Sequence, residues 1–174
     1  VKILIVYGTT EGQTRKIADW TAVRLRDQGH DVDVRDSAAL LSDLDLGAFD
    51  ACLVAGSVHH GHHQKSVANF VLAHREFLET TPSALISVSL SAVLQDESPE
   101  AQGYVDDFVS STGWTPRETL LVGGAARFTE YDYFQEQVVK FIVMRRGELD
   151  DGGQDREFTD WAALGRFVDT FASG

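Results

Sequence analysis

A chain of 174 residues, 43% hydrophobic and with only three prolines, can bury one substantial core and leaves little room for a linker, so the sequence predicts a single domain over residues 1–174. A formal charge of -12 repels phosphates at long range and argues against duplex nucleic acid as a partner. No stretch approaches the roughly 20 apolar residues of a membrane span, the first residues lack the pattern of a signal peptide, and the one cysteine cannot form an internal disulfide; a cytoplasmic protein is the expectation.

Val1 to Tyr7 is a β-branched, almost wholly apolar run stopping at Gly8, the pattern of a strand buried on both faces of a parallel sheet. From Thr14 to Gln28 the residues Ile17, Ala18, Trp20, Val23 and Leu25 recur at helical spacing, and Gly29 is placed to end that helix. Asp31 to Arg35 alternates as a half-exposed edge strand does, and Phe49 to Gly56 is a second buried run ending in glycine. It holds Cys52, where a thiol is a small apolar filler. A helix from Gln64 to Leu78, a strand from Ala84 to Leu90, a helix from Gln102 to Ser111 and a strand from Thr119 to Gly124 continue the alternation. A last helix, Thr159 to Phe171, carries the apolar stripe Trp161, Leu164, Phe167, Val168 and Phe171.

Five strands alternating with helices imply a doubly wound α/β fold with one parallel sheet and helices on both faces. For strand order 2-1-3-4-5 the ligand crevice lies between the first and third strands, at their carboxyl ends. The loop after the first strand, Thr9-Thr10-Glu11-Gly12-Gln13-Thr14, supplies hydroxyl donors and a glycine directly before a helix, the makings of a phosphate cradle without lysine. It lacks the Lys-Ser/Thr pair of a triphosphatase loop and the Gly-x-Gly-x-x-Gly of a dinucleotide site, so a single terminal phosphate is the expectation. The competing reading is that Thr10 or Gln13 merely caps the helix.

That loop resembles the FMN phosphate loop of flavodoxins. Together with Gly56-Ser57-Val58-His59-His60-Gly61-His62, Ser87-Val88-Ser89-Leu90, Gly124-Ala125-Ala126-Arg127-Phe128 and Thr159-Asp160-Trp161, it is similar to the menaquinone-dependent protoporphyrinogen dehydrogenase family. The resemblance runs over nearly the whole chain and implies a flavodoxin-like fold whose cofactor is FMN. Ordinary flavodoxins share the first loop but not the long segment 127–158, which is read as an insertion after the fifth strand.

A flavin ring needs a flat slot with polar groups at its pyrimidine edge. Ser57, Val58, His59, His60 and Gly61 are assigned to one wall, the resemblance placing this loop beside N5. Ser89, Leu90 and Ser91, with Ala92, form the other wall, Ser87 and Ser89 offer hydroxyls, and Ala125 and Arg127 stand at the end of the fifth strand. His59, His60, His62 and His63 also invite a metal reading, but no cysteine or carboxylate pattern completes a ligand set, and no metal is expected.

Within the insertion, Phe128, Tyr131, Tyr133 and Phe134 form an aromatic cluster, and Val138 to Met144 reads as a short, very apolar helix bounded by Lys140, Arg145 and Arg146. Such a segment calls for a cover, which would be a quinone or tetrapyrrole, peripheral contact with a membrane, the body of the domain or a second copy in a homodimer. The resemblance implies oxidation of protoporphyrinogen IX, with FMN passing electrons to a quinone. Arg127, Arg145 and Arg146 are candidates for the propionates, because guanidinium groups bind carboxylates in pairs, and Tyr131 and Tyr133 for the macrocycle. The acidic run Gln95 to Glu100 and the acidic residues of the insertion depart from the basic pattern expected for an anionic substrate. A second class of function therefore stands beside the first: a flavodoxin-type electron carrier whose acidic face docks on a basic redox partner. A nicotinamide-dependent quinone reductase has no nucleotide motif to support it.

Overall fold

Alternation along the first strand decides which residues meet which layer of the molecule. In the computed structural model, which describes residues 1–39, 41–94, 99–126 and 156–174, β1 (Lys2–Gly8) sends Ile3, Ile5 and Tyr7 into one apolar cluster and Leu4 and Val6 into another on the opposite face. Successive side chains of a strand point to opposite faces, so a wholly apolar strand demands cover on both. The cover on one face is α1 (Gln13–Asp27) with α5 (Trp161–Ser173). The other face is covered by α2 (Lys65–Ala73), α3 (Arg75–Thr80) and α4 (Glu100–Thr112).

The remaining main strands are β2 (Asp31–Asp36), β3 (Ala51–His59), β5 (Ser83–Ser89) and β6 (Glu118–Gly123). They pair in parallel in the order β2-β1-β3-β5-β6, which is the expected 2-1-3-4-5 arrangement with a short additional strand counted. That strand, β4 (His62–His63), folds back antiparallel on the end of β3. Its turn places both His60 (φ 51°) and Gly61 (φ 80°) in the left-handed region, the two-residue geometry whose twist matches a hairpin. A glycine was legible there; a histidine adopting the same backbone was not.

Boundaries follow local chemistry. Gly29, at φ 90°, ends α1 as expected, its N–H donating to the Arg26 carbonyl at 2.9 Å. The helix expected over Gln64 to Leu78 is two, broken at His74 (φ -126°, ψ 28°). Beyond β6 the chain forms a two-stranded antiparallel ribbon, β7 (Ala125–Ala126) with β8 (Arg156–Glu157). The segment from Arg127 to residue 155, including Phe128, Tyr131, Tyr133, Phe134, Arg145, Arg146 and the apolar run Val138 to Met144, lies outside the described residues, as do Gln95 to Ser98. Helices α1 and α5 are fastened by Arg24, whose guanidinium donates two hydrogen bonds of 2.8 Å to Asp169, and by Trp20 against Trp161, with ring centroids 5.3 Å apart.

Candidate cofactor site

At the carboxyl ends of β1 and β3, where the sheet connections leave in opposite directions, the parallel strands end around one open cleft, the place where ligands sit in doubly wound sheets. Thr9, Thr10, Glu11, Gln13 and Thr14 line its base. Ser57, Val58 and His59 form one wall, Val88, Ser89 and Leu90 the opposite one, and Gly124 and Ala125 close the far end. Of the residues assigned from the sequence, Gly12, His60, Gly61 and Ser91 adjoin these segments without lining the cleft. Arg127, Tyr131, Tyr133, Arg145 and Arg146 lie outside the described residues.

The base of the cleft is made for an anion. Gly12, in the left-handed region at φ 97°, stands at the N-cap of α1 with no side chain capping the helix, so the competing assignment of Thr10 or Gln13 as a cap does not hold. The first N–H groups of a helix carry the positive end of its dipole and need an acceptor. Thr9 Oγ1 accepts from Gly12 N at 2.8 Å, which shapes the loop. Thr14 is fully buried, and its Oγ1 has no hydrogen-bond partner in the protein. A buried hydroxyl with nothing to bond is a site waiting for an acceptor. Gln13 contributes differently from the expectation: its side-chain Nε2 donates to Thr159 Oγ1 at 3.0 Å. Thr159 Oγ1 in turn donates to the Gly123 carbonyl at 2.7 Å. The Gln13 amide thus ties the cleft to the segment entering α5.

The walls are also built on internal bonds. Ser87 was expected to offer its hydroxyl to the ring, yet it is buried and its Oγ is 2.8 Å from His63 Nε2. His63 lies against Phe108, centroids 5.0 Å apart. Burial first, and the neighbouring His62 second, push the His63 imidazole down to about 4. Ser89 Oγ accepts from Ala92 N at 3.1 Å, bracing the short 3₁₀ turn Ser91–Leu94 behind the wall. Gly123 permits a close approach of backbones at the far end: a Cβ there would meet the Phe158 carbonyl oxygen at 2.4 Å. Cys52 is fully buried, and burial raises its thiol pKa, which removes the thiolate that redox chemistry requires.

Sequence reasoning missed Gln64, which was read only as a helix start. It bonds Thr10 and Ser57 across the cleft. The signal that could have found it is a polar residue just after the β3 hairpin, at a position facing two glycines. The four histidines do not converge: among the described residues no three His, Cys, Asp or Glu side chains are placed to hold a metal ion. Nor, among those residues, is any helix long and apolar enough to cross a membrane.

Residues 4–151 match the family model described as Flavodoxin domain. A flavodoxin from Streptococcus pneumonia TIGR4 superposes with a TM-score of 0.55 at 18% identity, covering 99% of both chains. Fold and site together define an FMN-dependent oxidoreductase of the flavodoxin class. Within that class, a protein from Leishmania major named protoporphyrinogen IX dehydrogenase [quinone] is 30% identical over 99% of this chain and 75% of its own length. The protein of that name from Escherichia coli strain K12 is 28% identical over 97% of this chain and 93% of its own. The chain belongs to the protoporphyrinogen IX dehydrogenase (quinone) family.

Proposed function

We propose that this chain oxidises protoporphyrinogen IX to protoporphyrin IX in heme biosynthesis and delivers the electrons to a quinone. The observation that carries the reading is 30% identity over 99% of the chain to a relative bearing that name. FMN, when bound, supplies hydride acceptance from carbon and release of two electrons to the quinone, so the six-electron conversion takes three such cycles with three quinones reduced.

In this reading the residues at the base of the cleft hold the phosphate. The open amides of α1 and the Thr14 hydroxyl give it donors without a positive side chain. Val58 and His59 on one side and Ser89 and Leu90 on the other shape the slot for the ring. Arg127, Arg145 and Arg146 are assigned to the substrate propionates and Tyr131 and Tyr133 to the macrocycle, in keeping with the family resemblance. The protein's contribution is proximity and the exclusion of competing reactions, since the redox step needs no acid from the chain.

The test is anaerobic mixing of FMN-loaded protein with protoporphyrinogen IX, followed by flavin absorbance and porphyrin fluorescence, then addition of a menaquinone analogue. Flavin bleaching is expected on mixing, and porphyrin fluorescence is expected to grow once the quinone reoxidises the flavin through repeated two-electron cycles. The second reading, an electron carrier docking through an acidic face, draws on the formal charge of -12. It predicts a flavin that accepts electrons from a reductase but is never reduced by the porphyrinogen.

A further inference from the structure

Gln64 stands at the N-cap of α2 yet makes no cap with its side chain; the amide spans the rim of the cofactor cleft instead. Its Oε1 accepts from Ser57 N at 3.0 Å. Its Nε2 donates to Thr10 Oγ1 at 3.0 Å and also to Ser57 Oγ. The orientation of the amide is fixed by chemistry, because the Ser57 backbone N–H can only donate and must face the carbonyl oxygen. The amide packs beside two glycines, Gly8 at the end of β1 and Gly56 within β3: a Cβ on Gly8 would lie 3.1 Å from Oε1, and one on Gly56 3.6 Å from it.

A hydroxyl carries one proton and two lone pairs. When it accepts from an amide, its own proton turns to another acceptor. Thr10 and Ser57 both accept from the same nitrogen, so their oxygens are close together and both line the cleft. We propose that Gln64 is a positioning residue: it orients the Thr10 and Ser57 hydroxyls as a pair of donors to the phosphate of FMN, and so sets the preference for FMN over the unphosphorylated flavin. The proposal rests on the FMN assignment of this cleft. It explains how an acidic protein recognises a dianion here with neutral groups, since hydrogen bonds to a charged acceptor are about twice as strong as neutral ones.

The experiment titrates the apoprotein with FMN and, separately, with riboflavin, following quenching of flavin fluorescence. Wild type is expected to bind FMN more tightly; equal affinity for the two flavins would remove the phosphate assignment beneath the proposal. Gln64→Met keeps the length and loses the amide. It is expected to weaken FMN roughly tenfold, with riboflavin changed by no more than about twofold. Gln64→Glu keeps the bond from Ser57 N but accepts the two hydroxyl protons and adds charge, so the FMN loss is expected to be larger, on the order of a hundredfold. In a Thr10→Val background the Met substitution should cost FMN clearly less than it does alone. Losses of equal size for both flavins, or no loss in either variant, would overturn the proposal and leave Gln64 a structural tie.

Discussion

Thr14 carries a cost that an acceptor bound in the cleft would relieve. A buried hydroxyl without a partner destabilises the empty protein by about 1–3 kcal/mol, and Thr14 Oγ1 is such a group. Thr14→Val, which keeps the shape and deletes the hydroxyl, is therefore expected to raise the apoprotein's stability by about 1 kcal/mol while weakening FMN about tenfold. Urea unfolding of the apoprotein and a flavin titration give the two numbers. A pair of glycines makes the opposite kind of contrast. At Gly123 a Cβ would meet the Phe158 carbonyl oxygen at 2.4 Å and Val93 Cγ2 at 2.9 Å, whereas at Gly103, inside α4, it would meet nothing within 4 Å. Gly123→Ala should cost about 1–3 kcal/mol and Gly103→Ala should gain about 0.5–1 kcal/mol from helix propensity. Urea midpoints of the two variants check this.

The insertion leaves and re-enters the fold at facing positions. Ala126 and Arg156 are partners across the β7–β8 ladder, so residues 127–155 can be replaced by a two-residue Asn-Gly turn without moving either strand. Such a protein is expected to fold and retain FMN, and to lose porphyrinogen oxidation while still accepting electrons from a reductase. Unchanged turnover would take substrate recognition away from the insertion. Elements with strong periodicity were legible: β1, β3 and β5 as apolar runs, α1 and α5 as amphipathic helices, and from their alternation the order of the sheet. Weak local signals were not. The two-residue strand His62–His63 is held by its pairing with β3, a tertiary cause with no pattern of its own. The break at His74 falls between two helices that both carry apolar residues, so the period ran straight across it. In the site, loop chemistry pointed to the cleft-lining residues, but the partners of Ser87, Gln13 and Gln64 depend on side chains brought together from distant parts of the chain.

Across the molecule, acid should act through His63. Its imidazole titrates near 4 when folded against an ordinary value of 6.5. Between those values the unfolded chain binds the proton and the folded one does not, so stability falls as pH drops from 6.5 toward 4. His63→Gln removes this contribution, and its urea midpoint is expected to fall less than that of wild type between pH 7 and 4.5. The sheet order has a consequence for how the protein is made. The cleft draws on residues 9–11, 13–14, 57–59, 88–90 and 124–125, and its base is tied through Gln13 to Thr159. During synthesis the phosphate loop emerges early, but the walls that complete the slot follow long after it. A ribosome-bound fragment ending before β5 has a cradle and one wall but no slot, so flavin retention on nascent chains of increasing length should appear only once β5 has emerged, making cofactor capture a report that the centre of the sheet has formed.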